Sequence, residues 1–198
     1  MRVLVAQNDP AVPIGTLASP LKDHGIHLTV WPAWAPPPLT LSGYAALIVL
    51  GGAANPDQDT QFPGLEHQRR LLREALDRGV PVLGSCLGAQ LLAQVLAGQI
   101  GPLPHPEIGW VPVQACKAAD DDPLYRTLPP LMHAFDWHTY GFSLPPEPGC
   151  WPPLPQPPRR SVSEPAPGAC SSTWRPTRAS SAAGSPATKT SYVAPASI

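Results

Sequence analysis

Residues 81–90 read P-V-L-G-S-C-L-G-A-Q, and the fold is decided by the change of pattern inside them. Residues 80–83 carry a short apolar run that reads as a buried strand. Gly84 breaks the run, and L-L-A-Q-V-L-A-G follows with apolar residues at helical spacing. Strand, tight turn and helix, with a small nucleophile at the turn, is the plan of a nucleophile elbow. Cys86 occupies the nucleophile's place, flanked by Gly84 and Gly88 where a side chain would crowd the corner. A lone cysteine is more often an inert core thiol. The glycines and the strand-to-helix switch favour the nucleophile instead. A helix N-terminus also stabilises thiolate, so the Cys86 pKa is expected to fall below the free-thiol value of about 8.5.

Composition narrows the class. A chain of 198 residues has room for one α/β domain. Lys+Arg 13 against Asp+Glu 14 gives a net charge of −1, which supplies no basic field for nucleic acid. No apolar stretch approaches the roughly 20 residues that span a bilayer, and the opening M-R-V-L-V-A-Q has no signal-peptide character. The cysteines Cys86, Cys116, Cys150 and Cys170 are scattered without a C-x-x-C pair, so neither a zinc site nor a disulfide framework is indicated. The expectation is a soluble cytoplasmic protein without metal or cofactor. Proline, at 30 of 198, is about three times its usual share of roughly 5% and is densest near the C-terminus.

Working outward from the elbow, residues 2–7 read as a first strand, 13–24 as a helix ending at Gly25, and 26–31 as a second strand. The run W-P-A-W-A-P-P-P at 31–38 is a surface connection, because consecutive prolines remove donors and fix φ. Residues 44–50, Y-A-A-L-I-V-L, are continuously apolar, as in a strand buried on both faces of a parallel sheet. Gly51-Gly52 follows its carboxyl end, where ligand loops gather in open α/β sheets. Residues 65–78 form an amphipathic helix with Glu66, Arg69, Arg70, Glu74 and Arg78 expected largely on the wet side. The resulting β-α-β-β-α-β-α order implies a parallel sheet with right-handed crossovers. Residues 111–114 and 134–137 look like further strands, and His105 falls in a proline-framed loop, P-L-P-H-P-E.

G-S-C-L-G-A-Q after one buried strand and L-G-G after the previous one resemble the class I glutamine amidotransferases. P-E-I-G-W-V-P-V from Pro106, D-D-P-L-Y from Asp121 and F-D-W-H-T-Y-G-F-S-L-P-P from Phe135 strengthen the likeness. They are similar to the stand-alone, GMP synthase-like branch, and the resemblance covers residues 1–146. It implies a flavodoxin-like three-layer sandwich: an open, mostly parallel sheet flanked by helices. Cys86 is then the nucleophile that attacks the side-chain amide of glutamine, with Gly52 and Leu87 as the oxyanion hole. Gly51, Gln90, His138, Thr139 and Tyr140 line the substrate pocket, while Glu107 and Trp110 are structural. The partners implied are glutamine and an ammonia-accepting synthetase. A γ-glutamyl cysteine hydrolase on the same fold is the alternative enzyme. A non-catalytic module, its proline-rich tail recruiting aromatic grooves, is the alternative outside enzymes.

The family completes its triad with a C-terminal H-x-E, usually in a run like Q-F-H-P-E; this chain has no such run, its one H-x-E being His105-Pro106-Glu107 in mid-chain. From residue 147 onward the composition is that of a disordered tail rich in Pro, Ser and Ala. Reverse-translated and read one base upstream, A-C-S-S-T-W-R-P-T at 169–177 can spell V-Q-F-H-V-E-A-D for a permitted choice of codons. The missing pair is therefore expected in the neighbouring reading frame, the late strands and closing helix with it. Without them the domain is expected to be inactive, unstable and open at a sheet edge. His105 and His138 are the residues that could stand in for the missing base.

Overall fold

The computed structural model describes residues 1–114 and 127–143. D-D-P-L-Y, the tail from residue 147 and the cysteines at 116, 150 and 170 lie outside them. The described chain runs β1 (Arg2–Gln7), a 3-10 turn (Gly15–Leu17), α1 (Ala18–Asp23), β2 (His27–Pro32), β3 (Ala46–Val49), α2 (Gly64–Asp77), β4 (Val82–Gly84), α3 (Leu87–Val95), β5 (Gln99–Gln114) and β6 (Leu131–Ser143). Within them β1 to β4 form a parallel sheet in the order β2-β1-β3-β4. This is the flavodoxin-like α/β arrangement, with the order reversing beside β1. The expected helix at 13–24 opens instead as a 3-10 turn, and its α-helical part is six residues long.

Alternation along the strands sends side chains to two apolar layers. Leu4, Ala6, Leu47, Val49 and Val82 pack with Leu65, Leu71 and Leu72 of α2 and Leu87, Leu91 and Leu92 of α3. Val3, Val5, Ile48 and Leu50 face the other way, toward Leu21, Ile26 and Leu28. A strand clothed on both faces needs apolar residues at consecutive positions, which is why residues 47–50 are Leu, Ile, Val and Leu. Strand β4 pairs with β3 alone among the described residues, so its outer edge is open there.

Two features depart from the sequence reading. Arg69 does not lie on a wet helix face: it is only 8% exposed. Its guanidinium contacts Asp59 and Glu66 and donates to the carbonyl of Pro56 and the side-chain oxygen of Gln94. Amphipathic spacing assigns a charge to water, whereas here the preceding loop folds back to supply Asp59 and the helix itself supplies Glu66. The second departure is β5 and β6, a separate antiparallel pair rather than short additions to the parallel sheet. His105 belongs to β5, where the register slips between Pro102 and Glu107, and not to a loop. The prolines fit because an antiparallel pair has two outer edges that need no donors. Trp110 (70% exposed) and Trp137 (64%) stand on its outer face, each set edge-to-face against Phe135.

The corner between β4 and α3 is fixed by close approach. A Cβ on Gly88 would sit 2.1 Å from the carbonyl oxygen of Val49, the same oxygen that accepts from the Ser85 N–H at 2.9 Å. Gly88→Ala is therefore expected to cost about 2–3 kcal/mol, in the range of overpacked cores. Gly101→Ala meets nothing within 4 Å and is expected to stay within about 0.5 kcal/mol. Urea unfolding of both variants checks the difference.

Candidate active site

The carboxyl ends of β1, β3 and β4 lead respectively to Asn8, Gly51-Gly52 and Cys86, and these meet. Cys86 is the N-cap of α3 with φ 51° and ψ −113°. Positive φ on a side-chain-bearing residue costs on the order of 1–3 kcal/mol and persists only where the surroundings impose it. They do so here. Gly88 N–H donates to Ser85, and the Ala89 and Gln90 N–H groups donate to the Cys86 carbonyl, so the helix begins at once.

Gly51 lies directly against Cys86: a Cβ there would come within 3.1 Å of the Cys86 Cβ and 3.7 Å of Sγ. At Gly52 a Cβ would meet Asn8 at 2.8 Å. Asn8 in turn braces the loop, donating to the Leu50 carbonyl at 2.8 Å and accepting from Gln68 at 2.7 Å. The backbone N–H groups of Gly52 and Leu87 both point at the Cys86 sulfur and hold its pKa down. Burial outweighs them. Desolvation, reinforced by the negative charge of Asp136, raises the thiol above its ordinary value. This corrects the sequence expectation of a lowered pKa: the helix N-terminus contributes as expected, but the sulfur is too deeply placed for that to decide the sign.

The β5–β6 hairpin supplies the remaining wall. Asp136, His138 and Tyr140 share one face of β6, and Thr139 lies on the opposite one. Thr139 is thus not gathered with the other residues assigned to the pocket. The register sets Glu107 opposite His138, with Nε2 of His138 2.7 Å from Oε2 of Glu107 but out of line for a hydrogen bond. Asp136, only 5% exposed, completes a trio whose ligand-type atoms lie within 4.8 Å of one another. Those three residues have the chemistry to hold a cation, and two of them, His138 and Glu107, are already in close contact with each other. Gln90 does not present its amide nitrogen to an open pocket, because Nε2 donates to the Tyr140 carbonyl at 3.1 Å. Asn8, Asp57, Asp136 and the loop-holding pair Arg69 and Gln94 escaped the sequence reading. The only available signal was the position of Asn8 and Asp57, each beyond the carboxyl end of a strand.

A family profile described as "Glutamine amidotransferase class-I" matches residues 15–153. The chain belongs to the class I glutamine amidotransferase family. It is 42% identical over 67 residues to a subunit of the glutamine-hydrolyzing GMP synthase of Sulfurisphaera tokodaii, a match covering 34% of each chain. To the corresponding GMP synthase subunit of Haloarcula marismortui it is 34% identical over 119 residues, 60% of this chain and 54% of that protein. The chain therefore spans about a third to a half of the curated relatives it matches. Among solved structures, a glutamine amidotransferase from Thermotoga maritima superposes with TM-score 0.65 at 27% identity, covering 73% of this chain and 63% of the other. One from Methylobacillus flagellatus gives TM-score 0.65 at 30% identity, covering 73% and 58%. No helix among the described residues is long and apolar enough to cross a membrane.

Alkylation of Cys86 by iodoacetamide, followed by peptide mapping across pH, reads its ionisation directly. The expected midpoint lies above that of a free thiol, because burial and Asp136 disfavour thiolate. Asp136→Asn removes the opposing charge and should move the midpoint down. A midpoint between about pH 5 and 7, in the range of activated cysteines, contradicts this.

Proposed function

We propose that the chain carries the glutamine-hydrolysing half of an amidotransferase, with Cys86 as nucleophile. The observation that supports this is the convergence of the Gly52 and Leu87 N–H groups on the sulfur of a strained, glycine-backed corner. The thiolate attacks the side-chain carboxamide carbon of glutamine. As the C–S bond forms, the carbonyl electron pair moves onto oxygen, and in this reading the same two N–H groups, which contact the sulfur, receive it. Such donors are each typically worth about 2.7–4 kcal/mol in the transition state. The C–N bond then breaks as nitrogen takes up a proton and leaves as ammonia, and water hydrolyses the γ-glutamyl thioester to glutamate. Gly51 backs the nucleophile, while Gln90, His138 and Tyr140 frame the pocket's far wall.

The ammonia is passed to a separate synthetase chain in this reading, since the curated relatives are themselves named as single subunits of a GMP synthase. Residues 1–146 form the amidotransferase unit in this reading, and residues 147–198 stand where a neighbouring frame can, by codon choice, spell Q-F-H-V-E. Proton transfer by a positioned base and acid typically contributes about 10²–10⁴-fold, so the chain in its present frame is slow. Ammonia release from glutamine tests the proposal. The chain should release it slowly, Cys86→Ser should abolish release, and a gene with the frame restored near Pro146 should accelerate it by about 10²–10⁴-fold. Release that survives Cys86→Ser, or a coding DNA unable to encode Q-F-H-V-E in the adjacent register, contradicts the corresponding half of the proposal.

A further inference from the structure

A ring of contacts closes around Cys86 and passes through Tyr140. From the sulfur it runs to the Gly52 N–H and along the following loop to Asp57. Oδ2 of Asp57 accepts from the Tyr140 hydroxyl at 3.0 Å. The Tyr140 carbonyl accepts from Nε2 of Gln90 at 3.1 Å, and one turn of α3 leads from Gln90 back to Cys86. Both ends are firmly held. The carbonyl of Pro56, next to Asp57, accepts from Nη1 of Arg69 and from Nε2 of Gln94, each at 3.2 Å. Gln90 is buried within α3.

The joint at Tyr140 is unequal. Its carbonyl faces the buried amide, whereas the hydroxyl reaches open solvent. The Asp57 carboxylate opposes ionisation of the phenol, so the hydroxyl remains a donor into alkaline pH. A solvent-exposed hydrogen bond adds little to global stability. Placed where it closes this ring, it fixes β6 against the loop that carries Gly52. We propose that the hydrogen-bonded series Asp57–Tyr140–Gln90 is a clasp seating the β5–β6 hairpin at the site, with Tyr140 a positioning residue for capture of a glutamine-shaped ligand. The clasp rests on the reading of Cys86 as the glutamine nucleophile. It assigns to Asp57 and to the Tyr140 hydroxyl a role that neither the pocket assignment nor the family match provides.

The test uses the full chain and two thiol reagents at alkaline pH: a chloroketone analogue of glutamine, which must occupy the pocket, and iodoacetamide, which need not. Tyr140→Phe should raise the half-saturating chloroketone concentration roughly two- to tenfold, the span of one net hydrogen bond. The limiting rate of labelling and the iodoacetamide rate should change by less than about twofold, within a few tenths of a kcal/mol. Asp57→Ala should reproduce the effect, the double variant should be no worse than either single, and Asp57→Asn, which keeps a carbonyl acceptor, should restore most of the loss. Saturable labelling that is indifferent to Tyr140→Phe overturns the clasp alone. A parallel change in both reagents also overturns it, because that signals general exposure of Cys86. Absence of saturable labelling at Cys86 in the unaltered chain overturns the nucleophile reading and the clasp together.

Discussion

The seating of α3 on the end of β3 is the constraint from which the site follows. Gly88 brings the helix backbone against the Val49 carbonyl, closer than any side chain allows. That contact leaves the chain two residues in which to turn from strand to helix, and Cys86 absorbs the turn at positive φ. The sulfur is thereby held beside Gly51 and beneath two backbone N–H groups. A looser corner would relax the cysteine into an ordinary helix start and separate those donors from it.

The same seating explains why the thiol's pKa is raised. Burial strengthens the contacts of the Gly52 and Leu87 N–H groups with the sulfur. Depth also penalises a bare thiolate, and Asp136 adds to the penalty. A corner built this way depends on a proton acceptor arriving with the substrate or from elsewhere in the chain. In the family the C-terminal H-x-E is such an acceptor, and a buried thiol depends on one more than an exposed, self-activated cysteine does.

Much of this was legible in the residues, because the signals were local. The apolar run at 44–50, the glycine pair after it and the G-S-C-L-G corner each declare themselves within a few positions. What stayed hidden was made by distant partners. Asn8 finds the Leu50 carbonyl 42 residues away, and Tyr140 finds Asp57 across 83. Arg69 reads as a solvated charge until Asp59 and the Pro56 carbonyl fold onto it. Prolines at 102, 104, 106 and 112 disguised β5, since proline argues against a strand unless its edge needs no donors. The sign of the Cys86 shift was missed for a related reason: helix-end position is visible in sequence, and burial depth is not.

Intact-protein and peptide mass spectrometry after an acid quench, with glutamine as substrate, tests the central claim most directly. With water-mediated deacylation slowed by the missing base, a glutamyl thioester should be trapped on the peptide containing Cys86 and be absent from Cys86→Ser. Ammonia release without any acyl adduct at Cys86, or an adduct carried by another residue, would contradict the account.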